Sequence, residues 1–420
     1  MSVVSVADVE KANGILVIAT RDILTPLAAD RAKELNVRIE RTGGAMQSAS
    51  PAIASVQPNI RAPLKPVSAP AKPATAPNSV QTGALSGALY RRGAPVPPQM
   101  RVTNDAAPVT QDGRPRAAVV GAGHVGAMTA LRLAETSLFS RIVLVDIVPG
   151  LAAGLALDMW HSSGLRGFTT RIEGSTDLSA LEGASYVVMT AGRPRQPGMS
   201  RTDLTGVNAE IVGGVADGIR RYAPNSVVVV VTNPLEEMTH LMARRTGFAA
   251  NRVIGMAGVL DSARFCSLVA LESIARPQDV DAIALGSHGA EMVIPLSLAT
   301  ANGRPIEELI AKDRLAAIVE RARDSGAEVV KLLQKGSAYF SPAESAASMV
   351  AAMVRGASPV IAACVQSAGA YGIADTRVGL PVRLDANGVK EIVTLSLRPD
   401  ERAALAEAAR SIAKRISELG

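Results

Sequence analysis

The sequence predicts an α/β protein: a doubly wound parallel sheet followed by an α+β domain, preceded by a small N-terminal unit and a Pro/Ala-rich linker. Three observations predict it. Four near-continuous β-rich runs, "RAAVV" (116–120), "RIVLV" (141–145), "SYVVM" (185–189) and "SVVVVV" (226–231), are separated by helix-length stretches. Such runs suit strands buried on both faces, and the helices between them imply right-handed crossovers. From about Leu260 longer helical patterns mix with strands, as in "LDSARFCSLVALESIA" and "ERAALAEAARSIAKRISEL". Between about Gly43 and Arg114 large apolar side chains give way to Pro, Ala and Ser, the composition of a disordered linker. The expected division is 1–45, a small module; 46–115, the linker; 116–259, the sheet domain; and 260–420, a second domain.

Within the first module, "GILVIAT" and "VRIER" read as short strands. Between them Thr25 is an N-cap candidate with Pro26 at the first helical position. About forty residues is marginal for folding alone. The 420-residue chain is 48% hydrophobic and 20% charged, as expected of a soluble globular enzyme. Aromatic residues make up only 3%, so the core falls to Ala, Val, Leu and Ile. The net charge of +6 comes without a long Lys/Arg run or an aromatic platform. That argues against nucleic acid and for local use of the charge on acidic small molecules. Cys266 and Cys364 form neither a disulfide framework nor a metal-ligand spacing and read as buried free thiols. No apolar run is long enough to span a bilayer, and the N-terminus lacks a secretory pattern. The expected location is the cytoplasm, with no membrane partner and no metal.

The first β-rich run opens into "VVGAGHVG", placing Gly121, Gly123 and Gly126 in G-x-G-x-x-G spacing between a strand and a helix. Gly121 allows the tight turn, Gly123 lets a pyrophosphate approach the backbone, and Gly126 lets helix and strand pack closely. The next strand ends in Asp146, where an acid accepts hydrogen bonds from a ribose and repels a 2′-phosphate. Together they predict a Rossmann-type domain that binds NAD rather than NADP.

Asn233, in "VTNPLEEMT", ends a buried strand, where ligands of such sheets sit. Its amide could orient a substrate oxygen or the nicotinamide ribose. In "VLDSARF", Asp261 and Arg264 share a helix face. They form either an intrahelical ion pair or a working pair in which Arg264 grips a carboxylate while Asp261 orients a histidine. His288, flanked by Gly286 and Gly289, is the accessible imidazole among four histidines, suited to exchanging a proton near neutral pH. Finally, "AGRPRQPGMSR" (191–201) carries three arginines, two prolines and no acid.

These pieces, with "VDIVPGLAAGLALDM", "VNAEIV", "GSAYFSPAES" and "VGLPVRLDANGV", resemble malate dehydrogenases of the lactate-dehydrogenase-like type from about Arg116 to the C-terminus. The resemblance implies reversible hydride transfer between (S)-malate and NAD, giving oxaloacetate and NADH. It implies that His288 is the proton acceptor, that Asp261 orients it, and that Arg264 holds the C1 carboxylate. Arg201 would polarise the reacting C2 oxygen and Arg195 would hold the far carboxylate, where relatives acting on lactate carry glutamine. Asn208 and Asn233 would join the cofactor site, and the assembly would be a homodimer or homotetramer. Arg193 matches no functional position. On this reading the loop arginines lack acidic partners because the dicarboxylate substrate brings the anions.

Two features depart from the pattern. The family usually continues "HGD" after the catalytic histidine; here it is "HGAE", with Ala290 and then Glu291. That leaves open another 2-hydroxy acid such as lactate, or an NAD-binding pseudoenzyme within an assembly. The N-terminal stretch "ILTPLAADRAKELNVRIER" is similar to a short pattern in proteins of bacterial microcompartments. That similarity implies that residues 1–45 act as a recruitment tag on a Pro-rich tether.

Overall fold

The computed structural model describes residues 3–4, 6–12, 14–19, 22–24, 31–32, 35–42, 113–194, 201–334, 336–356 and 358–419. Two units divide the chain, the first ending at Val96 and the second beginning at Pro97. In the first, Ile15–Ala19 and Arg38–Thr42 pair in parallel, matching the two strand runs of the sequence. Among the described residues Val9, Ala32 and Val37 form a buried cluster, and Ile15 and Val17 stay exposed. Thr25, Pro26 and residues 46–112 lie outside the described residues.

The second unit begins with six strands: β1 (Arg116–Val120), β2 (Arg141–Val145), β3 (Arg171–Ser175), β4 (Tyr186–Met189), β5 (Val227–Val230) and β6 (Val253–Gly255). They run parallel in the order β3-β2-β1-β4-β5-β6. This is the dinucleotide-binding order of doubly wound sheets, reversing direction between β1 and β4. The valine runs are continuous because both faces are covered. Along β4 and β5, Val188 and Val229 enter one core cluster while Val187, Met189, Val228 and Val230 enter another. Helix α1 (His124–Glu135) supplies Ala130, Leu133 and Ala134 to the first cluster. On the second, α3 (Arg201–Tyr222) contributes Val212, Ala216 and Ile219, and α4 (Leu235–Thr246) Met238 and Met242. Helix α2 (Leu151–Arg166) follows β2 and buries only Ala152 and Ala156 fully.

The sheet does not stop at residue 259. β6 pairs antiparallel with β9 (Ile361–Gln366) through Gly255 and Cys364. A Cβ at Gly255 would lie 2.6 Å from Thr239 Oγ1 and 2.8 Å from Cys364 Cβ, so glycine permits this approach. The sheet continues through β10 (Arg377–Asp385) to β7 (Leu285–Gly286) and β8 (Met292–Val293), with β11 (Gly388–Ile392) on β10, eleven strands in all. The second lobe read in the sequence is thus continuous with the first through one sheet. Around it pack α5 (Gly258–Ala270), α6 (Lys312–Leu333), α7 (Phe340–Arg355) and α8 (Pro399–Ser417). Both cysteines are free. Burial raises the Cys364 thiol and pushes Cys266 up to about 11, so both stay protonated. No described helix is long and apolar enough to cross a membrane.

Candidate active site

At the carboxyl end of β1 the three glycines sit in three different environments. Gly121 has φ +100°, and a Cβ there would meet Ala191 N at 2.5 Å. At Gly126 a Cβ would fall 1.8 Å from the Gly121 carbonyl oxygen, so α1 abuts the turn too closely for any other residue. Around the Cβ position of Gly123 there is open space. The backbone there, at the start of α1, is free to meet a pyrophosphate, and the helix N-terminus favours its charge. Asp146 projects from the end of β2 onto the same loop. The Ala122 N–H donates to its Oδ2 at 2.6 Å and the Val148 N–H to its Oδ1 at 3.0 Å. The cradle therefore fits a dinucleotide, with an acid beside the loop where a ribose would lie.

The α5 helix carries the other half. Asp261, in its first turn, is 2% exposed at its side chain and sits opposite His288, which follows β7. His288 Nδ1 lies 2.9 Å from Asp261 Oδ2. One turn on, Arg264 Nη1 donates to Asp261 Oδ1 at 3.4 Å. The intrahelical ion pair and the contact of Asp261 with a histidine are therefore both present, because the carboxylate serves the guanidinium with one oxygen and the imidazole with the other. Burial works to lower the His288 pKa, but the charge and hydrogen bond of Asp261, with Glu236 in support, outweigh it and raise it above its ordinary value. Arg264 is 15% exposed at its side chain, and burial pulls its pKa down against the pull of Asp261. Among the described residues its hydrogen-bond partner is Asp261 alone, through one nitrogen. A partly buried fork with free donors on it suits a carboxylate from outside the protein.

The glycines beside His288 do something other than expose it. Its side chain is only 20% exposed. Gly286 and Gly289 have φ +82° and +137°, backbone that other residues rarely adopt. The ring is thus held in a tight, left-handed turn, with Asp261 at its Nδ1.

Asn233 lies in the bend between β5 and α4, exposed, with its following peptide bond to Pro234 cis. Asn208, on α3, is 1% exposed and clamps backbone. Its Nδ2 donates to the Asn233 carbonyl at 2.6 Å and to the Arg193 carbonyl at 3.2 Å, and its Oδ1 accepts from the Arg193 N–H at 2.8 Å. Read in the sequence as a cofactor ligand, Asn208 instead fixes Asn233 and the first residues of the arginine loop. Arg195 lies outside the described residues, and Arg201 is described only as the first residue of α3. The other histidines stand apart from this pair: His124 opens α1 against the Tyr339 ring at 5.0 Å, and His161 and His240 lie on α2 and α4.

Three residues escaped the sequence reading. Glu236 and Glu237, in the first turn of α4, are each 2% exposed; adjacent acids at a helix start ordinarily face water. Burial raises the Glu236 pKa, opposed by its contact with His288. Arg415, on α8, links Glu237 to Glu291. The acid shifted to Glu291 in "HGAE" thus anchors the His288 turn to the last helix.

Comparison with known proteins gives two matches to family models. The lactate/malate dehydrogenase NAD binding domain matches residues 115–255, and the lactate/malate dehydrogenase alpha/beta C-terminal domain matches residues 258–419. A malate dehydrogenase of Chloroherpeton thalassium is 43% identical over 294 residues, 70% of this chain and 95% of that protein. One of Synechocystis is 46% identical over 288 residues, 68% of this chain and 88% of that protein. The solved malate dehydrogenase of Salinibacter ruber superimposes with a TM-score of 0.69 at 38% identity, covering 72% of this chain and 97% of that one. A lactate dehydrogenase of Cryptosporidium parvum, complexed with lactic acid and nicotinamide adenine dinucleotide, gives 0.70 at 33% identity, over 73% of this chain and 98% of that one.

Proposed function

The chain belongs to the lactate/malate dehydrogenase family, and from that premise we infer that it is an NAD-dependent malate dehydrogenase. The observation that carries the inference is the grouping of Arg264, Asp261 and His288, a partly buried guanidinium with donors to spare beside a histidine–carboxylate pair. Residues 116–259 serve the cofactor and residues 260–420 supply these three side chains.

In malate oxidation His288 accepts the hydroxyl proton at Nε2, and Asp261 stabilises the imidazolium that forms. Arg264 holds the C1 carboxylate. Arg201 polarises the C2 oxygen, and Arg195 receives the second carboxylate. NAD, when bound, is the hydride acceptor. Gly123 and the α1 N-terminus would hold its pyrophosphate, Asp146 its ribose, and Asn233 its nicotinamide end. Purified protein should oxidise NADH with oxaloacetate and prefer NADH to NADPH. Cofactor binding without turnover of any 2-oxo acid would instead mark a pseudoenzyme.

The raised His288 pKa gives a pH prediction. Reduction of oxaloacetate needs the imidazolium, so its kcat/KM should fall only as pH rises through a value above 6.5, while malate oxidation rises through the same value. The stability contributed by the protonated pair has the same sign: full below 6.5, lost as pH climbs through the folded-state pKa. An inflection at or below 6.5 in paired pH–rate profiles would show that Asp261 does not govern the imidazole.

Self-association is supported by α2. Leu157, Trp160 and Leu165 form an exposed apolar face with Gly164 among them, of the kind that marks protein contacts. A homodimer through α2 predicts that Trp160→Glu yields monomers in light scattering. Residues 1–45, a length marginal for folding alone, are assigned to recruiting a cytoplasmic enzyme to a protein assembly such as a microcompartment. Removing residues 1–115 should then change cellular distribution and spare turnover; unchanged distribution would end that assignment.

A further inference from the structure

Resting on the dehydrogenase reading, we propose that Glu236 is a positioning residue for His288, acting on its main chain, with Arg415 securing the other side of the same turn. Glu236 Oε1 accepts the His288 N–H at 2.6 Å. That carboxylate is buried and belongs to α4, whose preceding turn carries Asn233. On the far side, Arg415 Nη2 donates to Ser287 Oγ at 3.2 Å and Nη1 to Glu291 Oε2 at 2.9 Å. Its Nε donates to Glu237 Oε1 at 3.1 Å. Ser411 Oγ donates to Glu291 Oε1 at 2.5 Å. The residues either side of His288 are thus tied to α4 and to α8.

A physical need explains the arrangement. The turn is built on Gly286 and Gly289, the residues with the most backbone freedom to lose. Asp261 holds only the ring of His288 and leaves the main chain free to shift. Proton transfer needs the imidazole placed within a fraction of an ångström, and a misplacement of about 1 Å costs on the order of a hundredfold. An acceptor on the His288 amide removes that freedom. Glu236 touches the backbone of His288 and none of the reacting atoms, so its loss should lower kcat and spare cofactor affinity.

The test compares Glu236→Met, which fills the volume without accepting a hydrogen bond, with Glu236→Gln, whose amide oxygen still accepts. Each full-length variant is measured for NADH affinity, kcat with oxaloacetate and amide hydrogen exchange in the peptide spanning His288. The Met variant should lose about tenfold to a hundredfold in kcat, exchange faster at His288 and bind NADH as wild type does. The Gln variant should recover most of the rate and the protection. Met indistinguishable from wild type, or Gln as impaired as Met, would overturn the proposal. Failure of the dehydrogenase reading shows separately, as wild-type protein inert toward oxaloacetate, and the exchange measurement still decides the role of Glu236.

Discussion

Asp261→Asn should cut kcat for oxaloacetate reduction by about a hundredfold to ten-thousandfold, with NADH affinity unchanged. The asparagine keeps the shape and loses the charge. His288 then loses the hydrogen bond to a 2%-exposed carboxylate at 2.9 Å. Burial, which already works to lower its pKa, would prevail. The imidazolium needed for reduction becomes scarce at neutral pH, and the inflection in kcat/KM moves to lower pH. Asparagine can also present its amide nitrogen to Nδ1, favouring the wrong tautomer. Steady-state kinetics across pH check both effects; a loss below tenfold with an unmoved inflection would mean that Asp261 is only a packing partner.

Arg264→Leu should act mainly through substrate. The leucine fills part of the site and leaves the Asp261–His288 hydrogen bond in place, but a carboxylate entering the site finds no partner. An unpaired buried charge costs about 3–5 kcal/mol, which converts to a loss of some hundreds-fold or more in kcat/KM. The increase should appear chiefly in KM. Arg264→Lys should recover little, since a point charge cannot offer the paired donors of a guanidinium. Unchanged KM in Arg264→Leu would assign the C1 carboxylate to another cation.

How much of this could be read in the residues follows from range. The valine runs announce their strands because alternate residues enter separate core clusters, a burial on both faces that leaves no polar positions. The glycine triplet is legible because each glycine solves a local problem: φ +100° at Gly121, a 1.8 Å approach at Gly126, open space at Gly123. Asp261 and Arg264 share one helix turn, so their meeting is also local. The partnership of Asp261 with His288 spans 27 positions; the residues alone left it as one of two readings of Asp261, and the family resemblance implied it. Gly286 and Gly289 were read as granting access, when their positive φ shows that they bend the backbone. Glu236, Glu237 and Arg415 were silent: acids at a helix start and a basic residue in a terminal helix look like surface. Only the 124-residue contact between Glu291 and Arg415 shows why the acid after His288 could move by one place. The continuity of the sheet past residue 259 likewise rests on the β6–β9 pairing, which no local pattern marks.

Arg264 can hold one carboxylate; a second cation is needed for a diacid, and Arg195 is the residue assigned to it. The most direct measurement is the ratio of kcat/KM for oxaloacetate over pyruvate, with NADH, in wild type and in Arg195→Gln. Wild type should favour the diacid by some hundreds-fold or more, because pyruvate strands a desolvated guanidinium. Arg195→Gln should erase most of that preference while retaining turnover. A wild-type ratio near one, or the same ratio in both proteins, would contradict the assignment of two arginines to the two ends of a four-carbon substrate.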